Sequence, residues 1–402
     1  MYRPRIKNNI CTNAHPVGCF YNVYDQMLDA LDAPIKTGKN QTALVVGASS
    51  GVGLASRLAL TFSAGMDTIG VYSERAAQAH KYGSAGWYNN QAFEYYARRA
   101  NKMALSTNQD AFQKNAKDWV IQKLQQNDKK IDVLVYSLAA PKRNIKGVAE
   151  YLSAIKPIDE NFQSHTLDVF EEKLRDLDIE TASQDEVDAT VKVMGGEDWQ
   201  EWVLRLKKAG VLAENFKTVA YSYMGPEQTQ SIYGRGTLGC AKAHLHETAI
   251  ALDNALVGMG GQASIGVLQA LLTPSSSAIP GMPLYMSVLE QQQRKLGHSE
   301  SALQQVNRLF KDGLFNKSRK PEQYLRVDDL ECNANVQQAV KAVYAELNQS
   351  NFCDLVDIKH FKQKFLQQFG FAHDFINYEQ KPDPLTPPAI HDFSELTYQK
   401  VG

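Results

Sequence analysis

Thr42-Ala-Leu-Val-Val46 is an unbroken apolar run that ends in a glycine-rich turn, the pattern of a strand buried on both faces of a parallel sheet. Behind the turn, Leu54-Ala-Ser-Arg-Leu-Ala-Leu-Thr-Phe62 spaces its apolar positions as a helix does. Thr68-Ile-Gly-Val-Tyr72 is a second apolar run, so residues 42–72 read as a strand, a helix and a parallel strand. Ile131-Asp-Val-Leu-Val-Tyr-Ser-Leu138, Lys217-Thr-Val-Ala-Tyr-Ser222 and Ala263-Ser-Ile-Gly-Val-Leu268 add three more strands. Strands separated by helical stretches predict an α/β fold built on a doubly wound parallel sheet.

One interval breaks the rhythm. About eighty residues separate Leu138 from Lys217, far more than one crossover helix needs. Ser183-Gln-Asp-Glu186 has the form of a capping box that opens a helix, and Glu197-Asp-Trp-Gln-Glu-Trp202 leads into another that stops near Gly210. An ordered insertion at the ligand end of such a sheet reads as a substrate cover; helices packed on the outside are the alternative. The carboxy-terminal third is helical in pattern. Its Pro-rich end, Lys381-Pro-Asp-Pro-Leu-Thr-Pro-Pro388, is expected to run over the surface without a regular element.

Composition narrows the class. With 44% hydrophobic and 22% charged residues, the 402-residue chain has ample material for a core. A formal net charge of −1 gives no reason to expect nucleic acid as a partner. No apolar stretch is long enough to span a membrane, and no apolar segment follows Arg3, Arg5 and Lys7 as a secretory signal requires. The 5 cysteines are scattered and odd in number, so a disulfide framework is not expected and a reducing cytoplasm is.

Gly47-Ala-Ser-Ser-Gly51-Val-Gly53 stands between the first strand and its helix. Glycines there let the backbone approach a pyrophosphate, whose charge the helix amino terminus stabilises. That places a dinucleotide on a Rossmann-type fold. Glu74 follows the second strand, where an acid can accept hydrogen bonds from the adenosine ribose and repel a 2′-phosphate, favouring NADH. Arg75 beside it could pair with that phosphate, and a solvated surface glutamate is the plainer alternative.

Hydride addition to a polarised double bond needs a group that stabilises the resulting oxyanion. A tyrosine hydroxyl near a lysine suits this, because the ammonium lowers the phenol pKa. None of the 18 tyrosines has a lysine four positions later, which removes the Tyr-x-x-x-Lys signature of ordinary short-chain carbonyl reductases. Tyr72 and Tyr233 each have a lysine nine positions on, Lys81 and Lys242. Tyr72 ends a strand expected to be buried, whereas Tyr233 precedes a glycine-rich loop and a helical run. Nine residues at about 100° each oppose the two side chains on a continuous helix. Tyr233 and Lys242 can cooperate only if the tyrosine lies on the loop, and Thr237 is the expected N-cap of the helix behind it.

Ala220-Tyr-Ser-Tyr-Met-Gly-Pro226 followed by Tyr233-Gly-Arg-Gly-Thr-Leu-Gly-Cys-Ala-Lys242 strongly resembles the FabV-type enoyl-acyl-carrier-protein reductases, also known as trans-2-enoyl-CoA reductases. His15-Pro-Val-Gly-Cys19, the glycine loop, Gly86-Trp-Tyr88, Val193-Met-Gly-Gly-Glu-Asp-Trp199 and Ser277-Ala-Ile-Pro280 extend the resemblance, which runs from near residue 3 to Phe369-Gly-Phe371. It implies a monomeric NADH-dependent enzyme that reduces the trans-2 double bond of enoyl thioesters carried on acyl carrier protein or CoA. By matching motif, Tyr233 would stabilise the enolate or donate its proton, Lys242 would bind cofactor and tune the tyrosine, and Tyr223 would face the acyl substrate. Gly47, Ala48, Ser49, Ser50, Gly51 and Val52 would hold the pyrophosphate, Ser73 and Glu74 the adenosine ribose, and Asp110 and Ala111 the adenine. Leu138 and Ala139 would lie along the cofactor, with Leu271, Leu272 and Thr273 near the nicotinamide. Two positions depart from the family: Ser73 stands where an aromatic is usual, and Gly234 where a larger residue is common.

On this reading the chain divides into an NAD(H)-binding part of the core (1–79), a catalytic part (80–317) containing the cover insertion at about 140–216, and a carboxy-terminal segment (318–402) with the extended tail. That last segment is sometimes labelled flavin-binding in the family, but it carries no flavin fingerprint and FAD is not expected. Cys11, His15 and Cys19 offer three zinc-type ligands without a fourth, so no metal is expected. His244 and His246 fall on different faces of their helix and read as structural or surface residues. A carbonyl reductase and a non-catalytic nucleotide sensor remain the rival functions.

Overall fold

The computed structural model describes residues 2–7, 9–145, 147–316 and 324–385. Its centre is a parallel sheet of β1 (Thr42–Val46), β2 (Asp67–Tyr72), β3 (Ala104–Asn108), β4 (Ile131–Tyr136), β5 (Leu212–Ser222), β6 (Gln262–Val267) and β7 (Tyr324–Arg326). Across the sheet they lie in the order β7-β6-β5-β4-β1-β2-β3, and every neighbouring pair is parallel. The chain starts in the middle, winds outward to β3, then returns to lay β4 against β1. Between β1 and β4 the winding reverses, which opens a crevice at the carboxyl ends of those strands.

The unbroken apolar runs follow from two-sided burial. Ala43, Val45, Val133 and Val135 face one core with Phe20, Leu54, Leu58 and Phe93. Their alternates Leu44, Val46 and Leu134 face a second core with Val120, Trp199, Trp202 and Leu252. Helices from Pro16–Leu31, Gly51–Leu58 and Ala85–Arg99 supply the first side; Lys114–Gln126, Glu197–Lys208 and Thr237–Leu256 supply the second. All five strands legible in the hydrophobic pattern are present. The two others, β3 and β7, form the sheet edges. An edge strand buries less and needs a weaker apolar signal: Ala104-Leu-Ser-Thr-Asn108 is mostly half-buried, and β7 is a three-residue strand.

The insertion holds both expected helices, Gln184–Met194 behind a complete Ser183/Glu186 capping box and Glu197–Lys208, which ends before Gly210 at φ 69°. It also contains two antiparallel hairpins that helical signals did not announce, Lys142–Ile145 with Ala149–Leu152 and Phe162–Asp168 with Lys173–Ile179. The second hairpin alternates half-buried and exposed positions along Phe162–Thr166, a period-2 pattern masked by its many charges. Its Leu167 and Val169 join Met282, Leu284, Tyr285 and Phe361 in a third core outside the sheet. The two insertion helices are anchored instead to the sheet's other layer. Buried Asp198 accepts from Lys117 Nζ at 2.7 Å and from Tyr136 Oη at 3.0 Å, and Trp199 Nε1 donates to Thr218 Oγ1 at 2.8 Å.

Helices Met282–Lys295, Ala302–Arg308, Ala334–Glu346, Phe352–Leu355 and Ile358–Gln367 make up most of the carboxy-terminal part. Residues 381–385 form no helix or strand; the carbonyls of Pro382 and Pro384 accept from the hydroxyls of Tyr82 and Tyr88, at 2.7 and 3.0 Å. The rest of the Pro-rich stretch, 386–388, lies outside the described residues. Among the described residues no helix is long and apolar enough to cross a membrane.

Candidate active site

The residues singled out by sequence gather at the carboxyl edge of the sheet. The glycine loop leaves β1, Ser73 and Glu74 leave β2, and Asp110 and Ala111 follow β3. Leu138 and Ala139 follow β4, Tyr223 leaves β5, and Leu271, Leu272 and Thr273 follow β6. Parallel strands put all six ends on one side, where ligands of such sheets bind.

Gly47 (φ 88°) and Gly51 (φ 52°) take left-handed conformations that strain other residues. A Cβ on Gly53 would stand 1.9 Å from the Gly47 carbonyl oxygen, so the loop closes on its own helix only because both are glycine. Helix Gly51–Leu58 begins behind Ser50, whose side chain makes no capping hydrogen bond, so the amides of its first turn face the crevice without a side-chain cap. Thr273 crosses to this loop, its Cγ2 3.2 Å from where a Gly51 Cβ would be. Thr273 is braced by Ser276, whose Oγ accepts from the Thr273 amide at 2.8 Å and donates to the Leu271 carbonyl at 2.6 Å.

At the adenosine end, the Glu74 carboxylate accepts from Ser49 Oγ at 2.8 Å and Ser84 Oγ at 2.5 Å. A Cβ on Gly86 would stand 2.0 Å from Glu74 Oε1, which explains the glycine of Gly86-Trp-Tyr88. Asn108 holds the Glu74 backbone from both sides, at 2.8 and 2.9 Å. Arg75 is turned elsewhere, with guanidinium bonds to the carbonyls of Thr12 and Tyr82 at 3.0 and 3.4 Å. Ser73 is exposed. Asp110 spends its carboxylate on its own turn, accepting from the Phe112 amide and Gln113 Nε2, and Ala111 is buried below it. A backbone cradle that a Cβ would fill, an uncapped helix start and a carboxylate with unused lone pairs together fit a dinucleotide such as NADH.

The tyrosine and lysine meet the condition set by their spacing. Helix Thr237–Leu256 starts four residues after Tyr233, which therefore lies on the preceding loop. The cap differs from expectation: Gly236 is the N-cap and Thr237 the first helical residue. Thr237 is recruited by the insertion instead, its amide donating to the Lys156 carbonyl at 3.0 Å and its hydroxyl to Ala154. Pro157 bridges Gly236, so segment 154–158 clamps the loop that carries Tyr233. Tyr233 and Lys242 both line a cleft of about 500 Å³, along with Ser222, Tyr223, His246 and Tyr324.

Their chemistry is distinct. The Tyr233 hydroxyl makes no hydrogen bond to another described residue. Burial, followed by the charge of Glu331, raises its pKa above the ordinary phenol value, so it stays protonated. The ammonium of Lys242 is not among the causes that set it. Burial instead lowers Lys242 to about 8, and its Nζ donates to the Tyr221 carbonyl at 3.1 Å. The Tyr223 hydroxyl is already taken: it donates to Glu331 Oε1 at 2.7 Å, and the ring stands 4.6 Å from that of Tyr233 at 66°. The site thus offers, in one cleft, a phenol with no hydrogen-bond partner among the described residues and a titratable amine, with a helix start that lacks a side-chain cap at the same edge of the sheet.

Sequence reasoning missed Ser49's and Ser84's grip on Glu74, Asn108, and the buried Glu331 with its second tyrosine, Tyr285. Glu331 sits in Asp328-Asp-Leu-Glu-Cys332, which reads as a solvated acidic turn; only the fold buries it. Of the other histidines, His244 accepts from the Gly196 amide at 3.0 Å and His246 stacks on Tyr324. Cys11, His15 and Cys19 are each buried, and among the described residues no three acidic, His or Cys side chains are placed to hold a metal.

Comparison with known proteins follows the same outline. Residues 1–79 match the family model described as the NAD(P)H binding domain of trans-2-enoyl-CoA reductase, and 81–315 match its catalytic region. Residues 321–381 match a model named enoyl reductase FAD binding domain. An enoyl-[acyl-carrier-protein] reductase [NADH] of Saccharophagus degradans is 41% identical over 386 residues, spanning 95% of this chain and 98% of its own. The Burkholderia lata enzyme of the same name is 41% identical over 396 residues, covering 97% and 98%. Among solved structures, Clostridium acetobutulicum trans-2-enoyl-CoA reductase in complex with NADH superposes with a TM-score of 0.91 at 35% identity, covering 96% of this chain and 98% of that one. The Treponema denticola enzyme in complex with NAD gives 0.90 at 37%, covering 95% and 98%. Spanning nearly the whole chain, this likeness shows that the chain belongs to the trans-2-enoyl-CoA reductase family, which includes the NADH-dependent enoyl-[acyl-carrier-protein] reductases.

Proposed function

We propose that this chain reduces the trans-2 double bond of enoyl thioesters to the saturated acyl thioester, with NADH, as the last reductive step of fatty acid elongation. The observation that carries the reading is the Tyr233 hydroxyl, without a hydrogen-bond partner among the described residues and lining the same cleft as Lys242; burial raises its pKa, which keeps it a donor. NADH supplies the hydride that enters the thioester at Cβ. As negative charge builds on the carbonyl oxygen, the Tyr233 hydroxyl donates a hydrogen bond to it; Cα then takes a proton from that hydroxyl or from water relayed by it. Lys242, while charged, holds the cofactor ribose and offsets the developing charge.

Around this centre, residues 47–52 hold the pyrophosphate and Glu74 the ribose, with Ser73 at its side. Asp110 and Ala111 border the adenine, Leu138 and Ala139 flank the cofactor, and Leu271–Thr273 border the nicotinamide. Tyr223 presents its ring to the acyl chain. The hairpin Phe162–Ile179 covers the substrate, since it packs with Met282 and Leu284 in the core that Tyr233 and Leu272 adjoin. Functionally the chain divides at about residues 79 and 317 into cofactor, catalytic and carboxy-terminal parts, and it works as a cytoplasmic monomer.

NADH oxidation that starts only when crotonyl-CoA is added supports the reading. Oxidation with a simple ketone instead, or nucleotide binding with no turnover on any enoyl thioester, would sink it. Enoyl thioesters on CoA and on acyl carrier protein, compared at steady state, identify the carrier.

A further inference from the structure

Glu331 is fully buried, and among the described residues its carboxylate's hydrogen-bond partners are all neutral donors. Oε1 accepts from the hydroxyls of Tyr223 and Tyr285, each at 2.7 Å, and Oε2 accepts from the Ala270 amide at 2.6 Å. Its own carbonyl accepts from Gln337 Nε2 at 2.7 Å. One residue thereby ties together the end of β5, the loop after β6, helix Met282–Lys295 and helix Ala334–Glu346. Burying a carboxylate is expensive unless donors satisfy it, and an apolar side chain here would leave those donors unpaired. An amide cannot accept from three donors without turning its own N–H groups toward one of them. The geometry that results has two consequences at the site. Tyr223's hydroxyl is held on Glu331 while its ring, which lines the cleft, stands against that of Tyr233. Ala270 is the residue before the Leu271–Thr273 turn that meets the glycine loop at Gly51.

We propose that Glu331 is a positioning residue for enoyl reduction, fixing Tyr223 and Ala270 with a single carboxylate and so setting where the Tyr233 hydroxyl stands relative to the nicotinamide end of the site. This rests on Tyr233 being the group that stabilises the enolate. Glu331 touches neither substrate nor cofactor; it acts through Tyr223 and the 270–273 turn.

The test is a double-mutant cycle on crotonyl-CoA and NADH. Glu331→Gln is expected to lower kcat about 10- to 100-fold, the scale of a small misplacement of reacting groups, while KM for NADH changes less than about twofold. In a Tyr223→Phe background the same change is expected to cost at least about threefold less than in the parent, because the hydroxyl it holds is gone and only the Ala270 arm remains. Parental kcat in E331Q, or equal losses in both backgrounds, overturns the proposal. Should E331Q fail to fold, Tyr285→Phe removes one phenol from the same carboxylate without altering shape: a lower kcat at constant NADH KM supports the role, and an unchanged kcat overturns it. Tyr233→Phe is measured alongside. If it is inactive while E331Q is normal, only the positioning role falls; if it is active, the underlying reading falls with it.

Discussion

Tyr223 and Tyr233 stand ring to ring, 4.6 Å apart, yet among the described residues only the hydroxyl of Tyr233 lacks a hydrogen-bond partner. Tyr223 donates a hydrogen bond to the Glu331 carboxylate, whereas Tyr233 is left with no partner among the described residues. A phenol held protonated by burial and by a nearby negative charge is a donor waiting for an acceptor. Tyr233→Phe keeps the ring contact and removes only that donor. Its kcat on crotonyl-CoA is expected to fall about 100-fold or more, the usual loss for one oxyanion donor, with the dissociation constant for NADH within about twofold of the parent. Single-turnover kinetics beside NADH fluorescence titration separates the two.

Lys242 gives the site a pH dependence of its own. Burial lowers its ammonium to about 8, so the charged form predominates below that value and is lost above it. If the charge helps hold the cofactor, NADH affinity is highest below pH 8 and declines as pH rises through it. In Lys242→Met the affinity should be weaker and nearly flat over the same range. Titration of NADH binding from pH 6.5 to 9.5 checks this; a parent enzyme with flat affinity would remove Lys242 from the cofactor site.

How far the chain announces this arrangement depends on where each contact comes from. β1, β2 and β4 are legible because two-sided burial writes a continuous apolar run, and the glycine loop because its backbone conformations demand glycine. The Tyr233–Lys242 pair is legible as a spacing whose geometry forces the tyrosine onto a loop, and the helix start at Thr237 meets that condition. Thr237 does not act as the cap because its hydroxyl is taken by Ala154, a residue 83 positions away. Glu331 leaves no local trace at all. Its acidic neighbours mimic a surface turn, and only the meeting of four distant segments makes it a buried acceptor. Contacts between remote segments are set by tertiary packing, which neither periodicity nor capping chemistry encodes.

Gly196 is a steric joint between the insertion and the helix that carries Lys242. Its backbone (φ −86°, ψ −6°) suits any residue, so the need for glycine is one of space. A Cβ there would stand 2.1 Å from Thr248 Oγ1 and 2.3 Å from Thr248 Cβ. Gly196→Ala is expected to destabilise the protein by about 1–3 kcal/mol, as overpacking does, and to lower Tm in thermal unfolding. Thr248→Ala in the same chain removes the clashing hydroxyl and methyl and should restore part of the loss. An additive double mutant would show that the strain lies elsewhere.

On the proposed reading the choice between NADH and NADPH turns on Glu74, and the position of Arg75 sharpens it. Glu74 is held at the crevice by Ser49, Ser84 and the Asn108 clamp on its backbone, so its charge cannot swing away from a ribose bound there. Arg75, the nearest candidate for pairing with a 2′-phosphate, is bonded to the carbonyls of Thr12 and Tyr82. A 2′-phosphate would therefore meet a fixed carboxylate without a compensating guanidinium, and like charges in contact are strongly unfavourable. Glu74→Ala removes the repulsion and a ribose acceptor together. The ratio of kcat/KM for NADH over NADPH is expected to fall by at least about tenfold, through a gain with NADPH as well as a loss with NADH. A variant that loses NADH activity but gains nothing with NADPH would mean that Glu74 serves only to hold Ser49 and Ser84 in place. Adding Arg75→Ala to the E74A variant tests the other half: if the bonds to Thr12 and Tyr82 keep Arg75 away from the ribose, the NADPH activity gained by E74A should survive its removal.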